Sequence, residues 1–90
     1  MNLIPIKVEC RAEGRSDEFP VRFYVNDLKF EIREISDRWY QAQNRDEWAI
    51  SNYFKVQTAS HRLYILKHEL KTDQWFLVTP DDPIIQFSAN

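Results

Sequence analysis

Residues 19–33 read FPVRFYVNDLKFEIR. On both sides of Asn26-Asp27, apolar residues alternate with residues of other types, as in two strands that each have one buried face. Asn and Asp tolerate the left-handed backbone of a tight turn. The stretch therefore predicts a β-hairpin. Its inward-facing side chains are expected to be Val21, Phe23, Val25, Leu28, Phe30 and Ile32.

The apolar phase changes directly after this hairpin. Apolar residues occupy even positions up to Ile32 and odd positions at Ile35 and Trp39. One extra residue in a strand, a β-bulge, produces such a change and bends the sheet. A helix is the alternative, because the same three residues also have helical spacing. We favour the bent strand, which suits a small barrel better than a flat sheet.

Alternation recurs outside the hairpin, in residues 3–10, 53–58 and 62–70, and the apolar run Trp75-Phe76-Leu77-Val78 predicts a last strand. Pro5 predicts an edge position, since proline cannot donate to a β-ladder, and the two partly apolar faces of 62–70 predict a central strand. Five or six antiparallel strands joined by short turns predict an all-β meander. It would form a small, partly open SH3-like barrel or one strongly twisted sheet. The expected core is Val21, Phe23, Val25, Phe30, Ile32, Ile35, Val56, Leu66 and Leu77.

The 90 residues predict one domain over 1–90. Residues 12–18 contain the only glycine and are expected to form a flexible loop. Residues 41–52 are mostly polar and predict a long connection, in which one helical turn starting near Asn44 or Asp46 stays an open alternative.

The tail, residues 80–90, combines a proline-bounded acidic turn with an apolar segment. The segment Ile84-Ile85-Gln86-Phe87 predicts a short edge strand. The tail has three expected roles: it docks on its own domain, meets a partner, or swaps into a neighbour and gives a weak homo-oligomer. Docking on its own domain is favoured.

The residue types that carry catalysis and metal binding are sparse. A metal site needs three or four converging ligands, whereas His61 and His68 point to opposite faces of one strand and Cys10 is expected to be a small core residue. No glycine elbow surrounds Ser60-His61. We therefore expect no enzymatic activity, no catalytic residues, no cofactor and no metal.

Charge and hydropathy exclude two further classes. The formal net charge of −2 argues against a polyphosphate binder that relies on bulk charge. The longest apolar run has only a few residues, far fewer than the roughly 20 that span a bilayer. The N-terminus has neither the basic nor the apolar region of a signal peptide. The sequence predicts a cytoplasmic protein without a membrane partner.

The leading functional hypothesis is a non-catalytic binding module with a protein or peptide partner, because short β domains expose sheet edges that pair with extended peptides. The alternative is a module that binds single-stranded nucleic acid by stacking bases on aromatic residues beside Lys and Arg. Strand alternation gives the candidate face for it: Arg22, Tyr24, Arg33, Tyr53 and Lys55. A solvated sheet face without a ligand is the plainer interpretation of the same residues.

A series of apolar landmarks extends over residues 19–78. It consists of Pro20-x-x-Phe23, Phe30-x-Ile32-x-x-Ile35-x-x-x-Trp39, Tyr53-Phe54-x-Val56-x-Thr58, Tyr64-x-Leu66 and Trp75-x-Leu77. The series resembles small bacterial domains of unknown function that occur alone or beside Y-family, lesion-bypass DNA polymerases. The resemblance implies a small β domain with a link to DNA maintenance, and it supplies no catalytic residues.

Overall fold

The computed structural model describes residues 2–12, 18–42 and 50–79, and all six elements in them are strands. They are β1 (Asn2–Ala12), β2 (Glu18–Val25), β3 (Leu28–Ala42), β4 (Ile50–Thr58), β5 (Leu63–Glu69) and β6 (Gln74–Thr79). Each strand pairs antiparallel with the next, and β6 pairs with β1, so the strands close a barrel. The predicted all-β fold, a small barrel, is confirmed.

Two long strands belong to both walls of this barrel. Residues 2–6 of β1 pair with β6, whereas residues 7–12 pair with β2. In the same way, β3 pairs with β2 up to Glu31 and with β4 from Ile32 onward. The barrel therefore has a five-stranded wall, in the order β1-β6-β5-β4-β3, and a three-stranded wall, β1-β2-β3, which share β1 and β3.

The bends in these two strands lie at register shifts. In β3 the pairing with β4 shifts between Ile32 and Glu34 and again between Ile35 and Asp37. This confirms the bent strand that the phase change predicts, and the helical alternative is wrong. A further shift lies in β1 between Glu9 and Cys10. Bulges increase local twist, which allows one strand to pass from one wall to the other.

The hairpin of β2 and β3 has the predicted two-residue turn. Val25 pairs with Leu28, and Asn26 has a φ of 54°. The expected burial of Leu28 is wrong, because 47% of this residue is exposed. Leu28 is the first residue of β3, next to the turn and at the end of the hairpin, whereas Phe30, two residues further along the strand, is buried.

The core fills the space between the two walls. Its buried members are Phe23, Val25, Phe30, Phe54, Val56, Leu66 and Leu77. Ile32 and Ile35 are only partly buried but pack against it, and Val21 is half-buried. The rings of Phe23 and Phe30 stack at 4.8 Å, and Tyr64 meets both edge-on. Aromatic pairs with these geometries add stability beyond the area they bury.

The remaining predictions concern β1 and the connections. Pro5 pairs with Phe76 in the segment of β1 that has β6 as its one described neighbour, which suits a residue without an amide hydrogen. Cys10 is half-buried. Ala12 of β1 pairs with Glu18 of β2, so the flexible loop expected over 12–18 is one residue shorter at each end. The interior of that loop, the predicted helical turn and the tail lie outside the described residues.

The aromatic core predicts a large cost for truncating Phe30. We expect Phe30→Ala to lower the free energy of unfolding by about 3–5 kcal/mol, because the ring is 4% exposed and its removal leaves a cavity beside Phe23. Urea unfolding followed by circular dichroism measures this change. Leu28→Ala, on the same strand, is the matched control and should cost less than about 1 kcal/mol. Equal costs for the two variants would contradict this core.

Candidate functional site

A groove opens where β1 leaves β6. Ile6 still pairs with Trp75 of β6, whereas Lys7 already pairs with Tyr24 of β2. The space between the diverging strands has a volume of about 530 Å³. Ile6, Val8, Trp75 and Phe76 supply its apolar lining, and Lys7, Asp73 and Gln74 supply its polar lining. The size and the mixed lining are typical of a ligand-binding cleft.

One side of β1 faces this groove. Residues 7–9 pair with β2 on one side, and no other strand among the described residues pairs with them. A strand edge of this kind presents backbone N–H and C=O groups that another extended chain can pair with. The groove therefore offers an unoccupied strand position beside β1, in line with β6.

His68 and Asp73 fix the opposite wall of the groove. The His68 imidazole stacks on the Trp75 indole at a centroid distance of 4.1 Å and an interplanar angle of 5°. His68 Nε2 donates to Asp73 Oδ1 at 2.7 Å, and Asp73 has a φ of 55°. These contacts orient Trp75 and Asp73, both of which line the groove, before any ligand arrives.

The sequence predicts that His68 lies on a strand but does not connect it to a groove. The signal for the connection is the short turn between β5 and β6. That turn pairs His68 with Trp75 and brings Asp73 within reach of the imidazole. The groove itself depends on the pairing of the first strand with the last, which no local pattern indicates.

A second gap lies on the other side of the three-stranded wall, where β3 leaves β2. It has a volume of about 450 Å³ and is lined by Phe19, Pro20, Val21, Ile32 and Ile35, together with Arg11, Arg33 and Glu34. Pro20 lies in the edge of β2 that faces this gap and has no amide hydrogen to donate. This edge is therefore a poorer template for an added strand than the edge of β1.

Arg22 and Tyr24 of the predicted binding face lie together on the three-stranded wall. Arg22 Nη1 forms an ion pair with Glu9, and its Nε donates to Glu31 Oε1 at 3.1 Å. The Tyr24 hydroxyl donates to Glu9 Oε1 at 2.8 Å. Two carboxylates therefore balance the charge of Arg22, and the network joins three neighbouring strands.

The network shifts the acidity of its members. Hydrogen bonds from Arg22 and then Tyr24 hold the pKa of the Glu9 carboxyl below its usual value. The same carboxylate raises the pKa of the Tyr24 phenol, and Glu9 with Glu31 raises the pKa of Arg22. The lowered pKa of Glu9 and the raised pKa of Arg22 favour the charged forms of the ion pair, and the raised pKa of Tyr24 keeps its phenol protonated as a hydrogen-bond donor.

The other members of the predicted face lie elsewhere. Lys55 is exposed on the outer face of the five-stranded wall. Tyr53 lies on that same face but is 4% exposed, with its ring stacked on Trp39 at 5.4 Å. Arg33 is exposed at the bend of β3, where its Nη1 lies 3.3 Å from Nδ1 of His61. His61 lies in the turn between β4 and β5, so the expectation that both histidines lie on one strand is wrong. The five residues do not form one continuous surface.

The Arg38 side chain, on β3, packs against two aromatic rings. The Arg38 guanidinium lies 5.1 Å from the ring centre of Phe54 and 5.4 Å from that of Phe19, and its Nε donates to Asn52 Oδ1 at 3.2 Å. Cation–π contacts of this kind cover apolar rings with a charge that remains hydrogen-bonded. This structural role removes Arg38 from the set of basic residues free to meet a ligand.

Comparison with known proteins finds no match among family models, curated proteins or solved structures. The resemblance to domains that accompany Y-family DNA polymerases therefore stays a prediction. Over residues 2–12, 18–42 and 50–79 there is no helix long and apolar enough to cross a membrane. Within the same ranges, no three His, Cys, Asp or Glu side chains form a group that holds a metal.

The Glu9 network predicts a specific pH dependence of stability. Because the pKa of Glu9 is lower in the folded chain than its usual 4.5, its contribution is present above that value and is lost as the pH falls through the folded pKa. We expect the unfolding midpoint in urea to fall less steeply between about pH 5 and pH 3 in Glu9→Gln than in the native chain. Glu34→Gln, an exposed carboxyl on β3, should retain the native slope. A native slope in Glu9→Gln would contradict the network.

Proposed function

We propose that the chain is a cytoplasmic, non-catalytic binding module that adds an extended peptide of a partner protein to the edge of β1. The observation that carries this proposal is the partner change of β1 at Ile6 and Lys7, which leaves residues 7–9 with β2 on one side and a groove on the other. In strand addition, main-chain hydrogen bonds supply affinity and pockets for alternate side chains supply specificity.

The groove lining indicates the chemistry of the peptide. Side chains on one face of the added strand would contact Val8 and Trp75, which favours apolar residues there. Side chains on the other face would lie beside Lys7 and Glu9. Because Glu9 is already paired with Arg22 and Tyr24, the exposed ammonium of Lys7 decides the preference. The expected ligand therefore alternates apolar residues with at least one acidic residue.

Two features favour this site over the nucleic-acid alternative. The positive charge of Arg22 is offset by Glu9 and Glu31, and Tyr53 is too buried to stack on a base. The edge of β1 needs no net positive charge, which agrees with the formal net charge of −2. Salt-dependent binding of labelled single-stranded DNA that disappears in Tyr24→Ala would support the alternative instead.

The test begins with a random nonapeptide library displayed on phage and selected on the immobilised chain. We expect the selected peptides to alternate apolar residues around an acidic one. On addition of such a peptide, the backbone amides that shift most should be those of residues 7–9, Gln74 and Trp75. Gln74→Trp fills the groove mouth and should weaken binding at least about tenfold, since it blocks the added strand.

Gln41→Trp is the matched control, because Gln41 is also an exposed strand glutamine but lies at the far end of the five-stranded wall. It should leave the affinity unchanged. Selected peptides that shift the amides of another surface, or that bind Gln74→Trp as well as the native chain, would refute strand addition at β1.

A further inference from the structure

The gap between β2 and β3 has the features of a second ligand site. It opens beyond the pair of Arg22 with Glu31, where β2 and β3 separate, and it has a volume of about 450 Å³. That volume lies within the range of ligand clefts, roughly 300–1,000 Å³. Because Pro20 weakens the edge of β2 as a template for an added strand, the gap suits a small molecule better than a peptide strand.

One bulge residue from each flanking strand lines this gap. Val21 of β2 is skipped where the pairing with β1 shifts, and Arg33 of β3 is skipped where the pairing with β4 shifts. Both side chains line the gap. A bulge re-aims a side chain that would otherwise follow the alternation of its strand. The two bulges therefore present one apolar and one cationic side chain to the same space.

The floor of the gap is apolar. It is formed by four half-buried residues: Phe19, Val21, Ile32 and Ile35. Ile32 and Ile35 also pack against the core, which fixes their positions before a ligand arrives. The Arg38 guanidinium lies 5.4 Å from the centre of the Phe19 ring and orients it. An apolar ligand would remove from water the part of these side chains that the barrel leaves exposed.

The rim of the gap is charged. It is formed by Arg11, Arg33 and Glu34, whose formal charges leave one net positive charge. Arg33 Nη1 lies 3.3 Å from Nδ1 of His61, and no described carboxylate forms an ion pair with Arg33. A guanidinium binds a carboxylate through two parallel hydrogen bonds. One net positive charge matches a monoanion, whereas Glu34 would repel a polyanion.

We propose that this gap binds a small amphipathic carboxylate, with the apolar body on the floor and the carboxylate at Arg33. The aliphatic side chains of the floor offer no hydrogen bond, so the ligand body needs no polar group. The residues that line this gap and those that line the groove at β1 share no member. Ligand binding here therefore does not depend on strand addition there.

The test uses sodium octanoate as the probe and the isotope-labelled, full-length chain at neutral pH. We expect saturable binding, in which the backbone amides of Val21, Arg33 and Ile35 shift most. Octanol has the same chain length but no charge, so it should bind at least about threefold more weakly. Absence of saturable octanoate binding would overturn the proposal. Amide shifts centred on Val8 and Trp75 would place the probe in the groove at β1 and would also overturn it.

A charge variant separates the carboxylate contact from general attraction. Arg33→Gln should weaken octanoate binding at least about fivefold and leave octanol binding unchanged, because only the charged head contacts Arg33. Lys55→Gln is the matched control, since it removes one positive charge from the outer face of the five-stranded wall. It should bind octanoate like the native chain. Equal octanoate affinities of Arg33→Gln and the native chain would overturn the proposal.

Discussion

The pairing of β1 with β6 closes the barrel, and this closure requires β1 and β3 to bend. β4, β5 and β6 are short, with six to nine residues each. Six strands close around one core only if some of them bend and change neighbours. β1 and β3 do this, and the register shifts in β3 and in β1 are the local cost of sharing two strands between two walls.

The same constraint produces the candidate binding site. A strand that passes from one wall to the other must leave its first neighbour, and a gap opens on each side of the three-stranded wall. Pro20 reduces the pairing capacity of one edge, whereas the other edge has no proline after Pro5. His68 orients Trp75 beside that second edge through stacking and through its bond to Asp73. The groove wall is thus preorganised by contacts that the barrel already makes.

The sequence predicts the features that depend on neighbours along the chain. The hairpin at Asn26, the bulge after Ile32 and the two-sided burial of β5 all follow from side-chain alternation, and the structure has each of them. Features that depend on distant pairing were missed. The exposure of Leu28 and the burial of Tyr53 depend on tertiary neighbours that are distant along the chain, and alternation does not carry that information.

The groove was missed for the same reason, since it exists only because β1 pairs first with β6 and then with β2. Amide hydrogen exchange along β1 tests this partner change most directly. In residues 7–9, we predict slow exchange for amides that point to β2 and fast exchange for amides that point to the groove. β5, with a neighbour on each side, should exchange slowly throughout. Uniformly slow exchange in residues 7–9 would mean that another strand covers this edge and would contradict the account.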